Sequence, residues 1–121
     1  MPEVFAGSVS EFKELDRKII VHDGVEIGVF LVQGEFHAYM NLCRHRGGPV
    51  CQGRLIHKVE EDLADDKTSK GLKFSEREVH VVCPWHGFEY DLKTGVNAGE
   101  PRLRLKRYEV RLHEGGIHVV V

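Results

Sequence analysis

The chain has 121 residues, the size of one domain with a single hydrophobic core. It carries 17 basic and 19 acidic residues, so its formal charge of −2 gives no indication of nucleic-acid or anionic-membrane binding. No apolar run approaches the roughly 18 residues of a membrane span, and the first residues lack the basic-then-apolar pattern of a signal peptide. The 3 cysteines, an odd number, favour metal ligation over a disulfide framework, and we expect a cytoplasmic protein.

Short β-strands separated by glycine turns are predicted along most of the chain. Dipeptides such as Asp23-Gly24 between apolar, β-branched runs indicate hairpins. Strands at this even spacing predict an all-β fold, a small antiparallel sandwich or barrel. In chain order the predicted strands are Lys18–Val21, Val25–Val32, Glu35–Met40, Val79–Val82, Phe88–Leu92, Tyr108–Leu112 and Ile117–Val121.

Two segments depart from this pattern. Ser10 to Leu15 looks helical, and we interpret it as a short turn that packs Phe12 and Leu15. Lys58 to Gly71 is polar and acidic and reads as an inserted surface excursion, with a short helical turn around Val59 to Ala64. A solvated loop is the favoured interpretation of this excursion, and an acidic docking surface for a partner is the alternative.

Two short segments supply metal-binding side chains. The first is Cys43-Arg44-His45 and the second is Cys83-Pro84-Trp85-His86, and glycine follows each histidine within two residues. Two thiolates and two imidazoles bind either one tetrahedral zinc ion or a two-iron cluster with its ligands split between the irons. Glycine lets the backbone turn its N–H groups inward, which stabilises negative charge on sulfur. That arrangement suits bridging sulfides better than zinc.

The paired motifs resemble those of the Rieske iron–sulfur proteins. Cys83 to Asp91, with Thr94-Gly95 shortly after, is similar to the family's second loop and its exit strand, and Cys43 to Gly47 resembles its first loop. The resemblance implies a single Rieske-type domain over residues 1–121 that holds one [2Fe–2S] cluster. The ligands it implies are Cys43 and Cys83 on the inner iron, with His45 and His86 on the outer iron.

The resemblance also indicates where the reduction potential lies. High-potential members of the family join their loops by a disulfide, but the matching positions here are Gly48 and Trp85. Those members also place a serine near the cluster where this chain has Phe88, although their tyrosine position is filled by Tyr90. Fewer hydrogen bonds to sulfur predict the low-potential, oxygenase-type branch within a class that spans about −150 to +300 mV.

These features predict an electron-transfer protein that performs no bond chemistry itself. We expect a ferredoxin that passes one electron at a time from a reductase to a terminal oxygenase. A small subunit of a larger reductase, such as a nitrite-reductase-like complex, and a structural zinc-binding interaction domain are the alternatives. The chain differs from most small family members in its long interval from residue 46 to residue 82, which a hairpin extension between Gly53 and Val79 would accommodate.

The remaining cysteine and histidines are not predicted to bind the cluster. Cys51 is interpreted as a small buried residue, because four ligands are already assigned. The other histidines fall in strand-like segments, and we interpret them as strand or surface residues: His22, His37, His57, His80, His113 and His118.

Overall fold

The computed structural model describes residues 2–44, 47–63, 69–85 and 87–121, and these residues form nine β-strands and two short 3₁₀ turns. The strands are β1 (Glu3–Ser8), β2 (Arg17–His22), β3 (Val25–Val32), β4 (Glu35–Met40), β5 (Arg54–Leu63), β6 (Ser69–Val82), β7 (Glu89–Asp91), β8 (Arg107–His113) and β9 (Gly116–Val120). The 3₁₀ turns are Val9–Glu11 and Val50–Gln52. None of the helical turns in this part of the chain is long and apolar enough to cross a membrane.

Six strands form one antiparallel sheet in the order β1-β9-β8-β4-β3-β2. Two-residue loops join β2 to β3, β3 to β4 and β8 to β9, and both residues of each loop have positive φ. That backbone is the type I′ turn, whose twist matches the twist of the flanking strands. The sheet curls until its edges approach, since a Cβ on Gly7 of β1 would lie 3.1 Å from Nζ of Lys18 on β2.

The other three strands form a smaller sheet in the order β5-β6-β7. Strands β5 and β6 make a long hairpin that is paired from Arg54 opposite Val82 to Leu63 opposite Ser69. Strand β7 pairs with the last residues of β6, with His80 opposite Asp91. The base of the hairpin therefore lies beside both segments that carry the cysteines.

The alternating side chains of β3 and β4 divide the apolar core into two clusters. Phe30 and Tyr39 face the small sheet, while Val29 and Ala38 face β1 and β9. The first cluster lies between the sheets and contains Phe30, Val32, Tyr39, Cys43, Val50, Cys51, Val79, Val81, Cys83, Tyr90, Leu92 and Leu105. Since both faces of β3 are buried, this strand reads as a continuous apolar run.

Arg17 fastens the start of the hairpin to the large sheet. Its guanidinium donates hydrogen bonds to the carbonyl oxygens of Cys51, at 3.0 Å, and of Gly53. Gly53 itself has no room for a side chain, because a Cβ there would lie 1.8 Å from the carbonyl oxygen of Val82. The foot of β5 is thereby held against both β2 and the end of β6.

The all-β architecture is confirmed, with three differences in detail. The helical turn predicted around Val59 to Ala64 is wrong, because β5 continues through Leu63 and pairs with β6. Backbone pairing overrides the polar composition there. The structure also adds β1, which pairs with β9 from the other end of the chain. Of the region predicted as helical, Ser10 to Leu15, only the first two residues belong to a 3₁₀ turn, which spans Val9–Glu11. Phe12 and Leu15 pack against the core as expected.

Candidate metal centre

Loop 1, residues 43–48, begins three residues after the end of β4. The N–H of Cys43 donates to the carbonyl oxygen of Gly48 at 2.8 Å, and the N–H of Gly47 donates back to the carbonyl oxygen of Cys43 at 2.8 Å. Gly47 has φ of 77°, a left-handed backbone that favours glycine. The Cys43 side chain is only 3% exposed.

Loop 2, residues 83–88, begins directly after β6 and repeats the same backbone frame. The N–H of Cys83 donates to the carbonyl oxygen of Phe88 at 2.8 Å, and the N–H of Gly87 donates to the carbonyl oxygen of Cys83 at 2.9 Å. Gly87 has φ of 73°, close to the value at Gly47. Cys83 is 1% exposed. Each cysteine is therefore held at both its N–H and its carbonyl within its own loop.

The two loops meet at Gly48. A Cβ on this residue would lie 2.9 Å from the Trp85 ring and 3.0 Å from Sγ of Cys83, so only glycine fits there without a shift. Cys43 and Cys83 belong to the same buried cluster. The fold thus brings together the thiols of Cys43 and Cys83, which are 40 residues apart in the sequence.

Tyr90 on β7 connects the core to the sulfur of loop 1. Its hydroxyl lies 3.3 Å from Sγ of Cys43, accepts the N–H of Arg44 at 3.2 Å and is hydrogen-bonded by Asn97. A hydroxyl has one hydrogen and two acceptor positions, so the two acceptor positions are filled and the hydrogen points to sulfur. Burial, with a smaller contribution from the Cys43 thiol, raises the pKa of Tyr90, which keeps that hydrogen in place.

The exposed residues of the two loops lie around this buried pair of sulfurs. Trp85 is 58% exposed, and it covers Gly48 instead of filling the core. Pro84 and Arg44 are exposed as well, and Phe88 packs against the edge of the core. His45 and His86, the predicted imidazole ligands, lie outside the described residues.

Cys51 is buried as predicted and stands apart from the two loop cysteines. Burial raises the pKa of its thiol to about 12, so the group stays protonated and unreactive at neutral pH. Its side chain packs against β3 at Gly28, where a Cβ would lie 2.5 Å from the Cβ of Cys51. This tight contact gives Cys51 a packing role.

Two of the other histidines are buried, which strand position alone did not indicate. His37 on β4 accepts a hydrogen bond from Arg107 at 3.1 Å through Nδ1. Burial, followed by the nearby Arg107 guanidinium, lowers the pKa of His37. His80 on β6 is held between two carboxylates. Glu78, two positions before His80 on the same strand, is the sequence signal that could have indicated a carboxylate beside this histidine.

The donor set fits an iron–sulfur cluster. Two buried thiols project from loops of matching backbone geometry, and one of them receives a hydroxyl hydrogen bond that stabilises negative charge on sulfur. Beside Gly87 the space is open, because a Cβ there would have no described atom within 4 Å. By its fold and this site, the domain is of the iron–sulfur class.

The family is shown by comparison with known proteins. The family model for the Rieske [2Fe-2S] domain matches residues 3–109. A Rieske domain-containing protein of Homo sapiens is 33% identical over 110 residues, which is 85% of this chain and 59% of that protein. Apoptosis-inducing factor 3 of Homo sapiens is 32% identical over 101 residues, or 78% of this chain and 13% of that protein. The matched regions span less than two thirds of the length of these relatives. The family model covers most of this chain, and the chain therefore belongs to the Rieske [2Fe–2S] domain family.

Solved structures have the same fold at low sequence identity. The ferredoxin of carbazole 1,9a-dioxygenase from Nocardioides aromaticivorans superposes with a TM-score of 0.68 at 20% identity, over 99% of this chain and 98% of that one. A structure described as a putative NADH-dependent nitrite reductase small subunit from Mycobacterium tuberculosis has a TM-score of 0.70 at 18% identity, over 98% and 93%. Rieske domains bind one [2Fe–2S] cluster and carry electrons, which confirms the predicted cofactor and class.

Proposed function

We propose that residues 1–121 form a single Rieske domain whose cluster is held by Cys43, His45, Cys83 and His86. The observation that carries this ligand set is the convergence of the two buried thiols on loops with one backbone frame. In this proposal Cys43 and Cys83 would hold the inner iron, and His45 and His86 would hold the outer iron.

The bound cluster would supply one-electron exchange, and the chain's own residues set the conditions for it. The apolar cluster around Cys43 and Cys83 excludes water from the sulfurs. Tyr90 donates its hydroxyl hydrogen to Sγ of Cys43, which stabilises the more negative, reduced state. Gly48 and Phe88 add no polar hydrogen from their side chains, which supports a place at the low-potential end of the class.

We infer that the electron donor is a reductase and the acceptor a terminal oxygenase. Exposed apolar side chains around the loops support a docking face there, since Trp85 is 58% and Leu42 is 42% exposed. Aromatic residues and arginine are enriched at protein interfaces, and Arg44 is exposed in loop 1. A chain in the structure of the complex of reduced oxygenase and oxidized ferredoxin in carbazole 1,9a-dioxygenase has the same fold, with a TM-score of 0.70 at 20% identity.

A second candidate acceptor is a nitrite-reductase-like complex of which this chain would be the small subunit. The structure described as a nitrite reductase small subunit is as similar in fold, with a TM-score of 0.70. Fold similarity at this identity does not rank the two partners. In either role we propose a cytoplasmic carrier.

Cluster content tests the proposed site. Anaerobically reconstituted protein is expected to contain two irons and two acid-labile sulfides per chain, and to give the low-average-g electron paramagnetic resonance signal of a Rieske cluster when reduced. Substitution of each proposed ligand by alanine should abolish the signal. Zinc in place of iron, or retention of the cluster in the His45→Ala and His86→Ala variants, would contradict the proposal.

Electron transfer distinguishes the partners. Reduced protein is mixed with the oxygenase component, or with the large nitrite reductase subunit, encoded in the same genome, and reoxidation is followed by stopped-flow absorbance. We expect fast reoxidation by the oxygenase, slowed about tenfold in Trp85→Ala if a contact worth about 1.4 kcal/mol is lost. Leu112→Ala, an equally exposed apolar residue on β8, is the matched control. Reoxidation by the large nitrite reductase subunit, and not by the oxygenase component, would favour the second candidate.

A further inference from the structure

A histidine surrounded by carboxylates lies on the outer face of the small sheet, apart from the cluster loops. Glu78 and His80 are two positions apart on β6, and Asp91 lies directly opposite His80 on β7. Since side chains alternate along a strand, all three project to the same face, away from the core residues Val81 and Tyr90. One ligand atom from each of Glu78, His80 and Asp91 lies within 4.8 Å of the others.

The imidazole of His80 is buried and oriented from both sides. It is 3% exposed, with Nε2 at 2.6 Å from Oε2 of Glu78 and Nδ1 at 2.9 Å from Oε1 of Glu89. The side chain of Asp91 is fixed as well, because the backbone N–H of Lys93 donates to its Oδ1 at 2.7 Å. The three side chains therefore have their orientations set before any ligand is present.

This arrangement matches the pattern around metal-binding histidines. A ligating imidazole donates its second ring N–H to a carboxylate, which fixes the ring and raises the basicity of the ligating nitrogen. Glu89 occupies that position at Nδ1, which leaves Nε2 on the side of Glu78. Asp91 keeps Oδ2 for a ligand while Oδ1 accepts from Lys93.

We propose that Glu78, His80 and Asp91 bind a divalent first-row transition-metal ion at the β6–β7 strand pair, with Glu89 as the residue that positions His80. One imidazole nitrogen and two carboxylate oxygens form a donor set that suits Mn²⁺, Fe²⁺ or Zn²⁺. The ion takes the place of the direct contact between Nε2 of His80 and Oε2 of Glu78. It cross-links β6 to β7 immediately before and after loop 2 and involves none of the proposed cluster ligands.

Mn²⁺ binding to cluster-loaded, oxidised protein tests the site. The oxidised [2Fe–2S] cluster is diamagnetic, so loss of the free Mn²⁺ resonance signal counts bound ions, and the visible spectrum reports that the cluster is intact. We expect one Mn²⁺ per chain, displaced by Zn²⁺ as the affinity order of these metals requires. Occupancy should also raise the melting temperature of the protein, because the ion binds the folded state.

Four variants separate a metal site from a hydrogen-bonded histidine. His80→Gln and Asp91→Asn should lose the bound ion, and Glu89→Ala should bind it at least about tenfold more weakly. His113→Gln is the matched control, because His113 also contacts a carboxylate, Glu3, at 3.2 Å, but on the large sheet. It should bind as the wild type does.

The proposal is overturned if wild-type protein binds no Mn²⁺, if the variants bind it equally, or if His113→Gln alone loses it. In the first case His80 is a histidine hydrogen-bonded to two carboxylates and nothing more. Should His80→Gln fail to fold, Asp91→Asn decides the outcome, because asparagine preserves the acceptor for the Lys93 N–H. The readouts do not depend on electron transfer, so they remain valid if the proposed partners are wrong.

Discussion

Loop 1 and loop 2 share one backbone frame but differ in what surrounds them. In each loop the cysteine N–H bonds the carbonyl five residues later, and a left-handed glycine returns a bond to the cysteine carbonyl. Loop 1 is additionally tied to the core through Tyr90, which contacts both Cys43 and the N–H of Arg44. Loop 2 presents Pro84 and Trp85 to solvent.

The difference indicates that the two loops have different roles. The shared frame positions a sulfur, and it does so with Cys-x-His in one loop and Cys-x-x-His in the other. The hydrogen bond from Tyr90 adjusts the charge on Sγ of Cys43. In the proposed function, the exposed Trp85 of loop 2 belongs to the docking face, while both loops bury their cysteines.

Removal of either loop cysteine should have the largest effect on the molecule. Cys43→Ala and Cys83→Ala are each expected to lose essentially all bound iron and acid-labile sulfide, because a thiolate is the ligand that the cluster requires. Cys51→Ala is the control and should keep the full visible spectrum, although it loses some core packing. If Cys51→Ala lost as much of the cluster as the other two variants, the distinction between the loop cysteines and Cys51 would be wrong.

The two left-handed glycines test whether the frames are equivalent. Gly47→Ala and Gly87→Ala are expected to cost about 1–2 kcal/mol each in the free energy of unfolding, because an L side chain at such a φ is strained. Among the described residues, a Cβ at Gly87 would have no atom within 4 Å, and a Cβ at Gly47 would lie at an ordinary 3.4 Å from Cδ1 of Leu42. Denaturant unfolding of cluster-loaded protein measures both values. Costs that differ by more than ~1 kcal/mol would show that the frames are not energetically equivalent.

Tyr90→Phe should lower the reduction potential through loop 1 alone. Loss of one hydrogen bond to sulfur is worth about 1 kcal/mol, which corresponds to about 40 mV for a one-electron couple. Protein-film voltammetry measures the shift. Tyr39→Phe is the control, because the Tyr39 hydroxyl is also buried but donates to the carbonyl oxygen of Leu92. An unchanged or higher potential in Tyr90→Phe would mean that Cys43 is not tuned by this hydroxyl.

The smallest expected effect concerns β4, the strand that leads into loop 1. The pKa of His37 is lowered by burial and by Arg107, so below about pH 6.5 the unfolded chain takes up more protons than the folded one. Stability should therefore fall as the pH decreases from 6.5, by at most about 1.4 kcal/mol per pH unit. His37→Gln, whose amide oxygen still accepts from Arg107, should flatten this part of the curve. Parallel curves of unfolding free energy against pH for the wild type and His37→Gln would contradict the assignment of this pH dependence to His37.

Features encoded locally could be predicted from the sequence. Turns such as Asp23-Gly24 were found because two positive φ values select a short list of dipeptides. The cysteine spacing indicated two loops, and the family resemblance indicated the role of Tyr90. Strand β1 was missed because its partner, β9, lies at the other end of the chain.

The sequence suggested a hairpin extension between Gly53 and Val79, but the extent of its strands and the burial of His80 could not be predicted. The segment from Lys58 to Gly71 has little apolar alternation, so its strands depend on backbone pairing that composition does not report. His80 is buried by carboxylates from two strands, and one of these, Glu89, is nine positions away. Such contacts require the register of β6 and β7, which the sequence pattern leaves open.

The clamped foot of the hairpin has an evolutionary consequence. Arg17 and Gly53 hold the start of β5 against β2 and Val82, so the residues that pair next to the cysteines keep their register whatever happens farther along. Insertions and deletions toward the far end of the hairpin change its reach without moving Cys83. Relatives of this chain can therefore diversify that arm, and engineers can graft a peptide or a spectroscopic label onto it, while the redox centre is inherited unaltered.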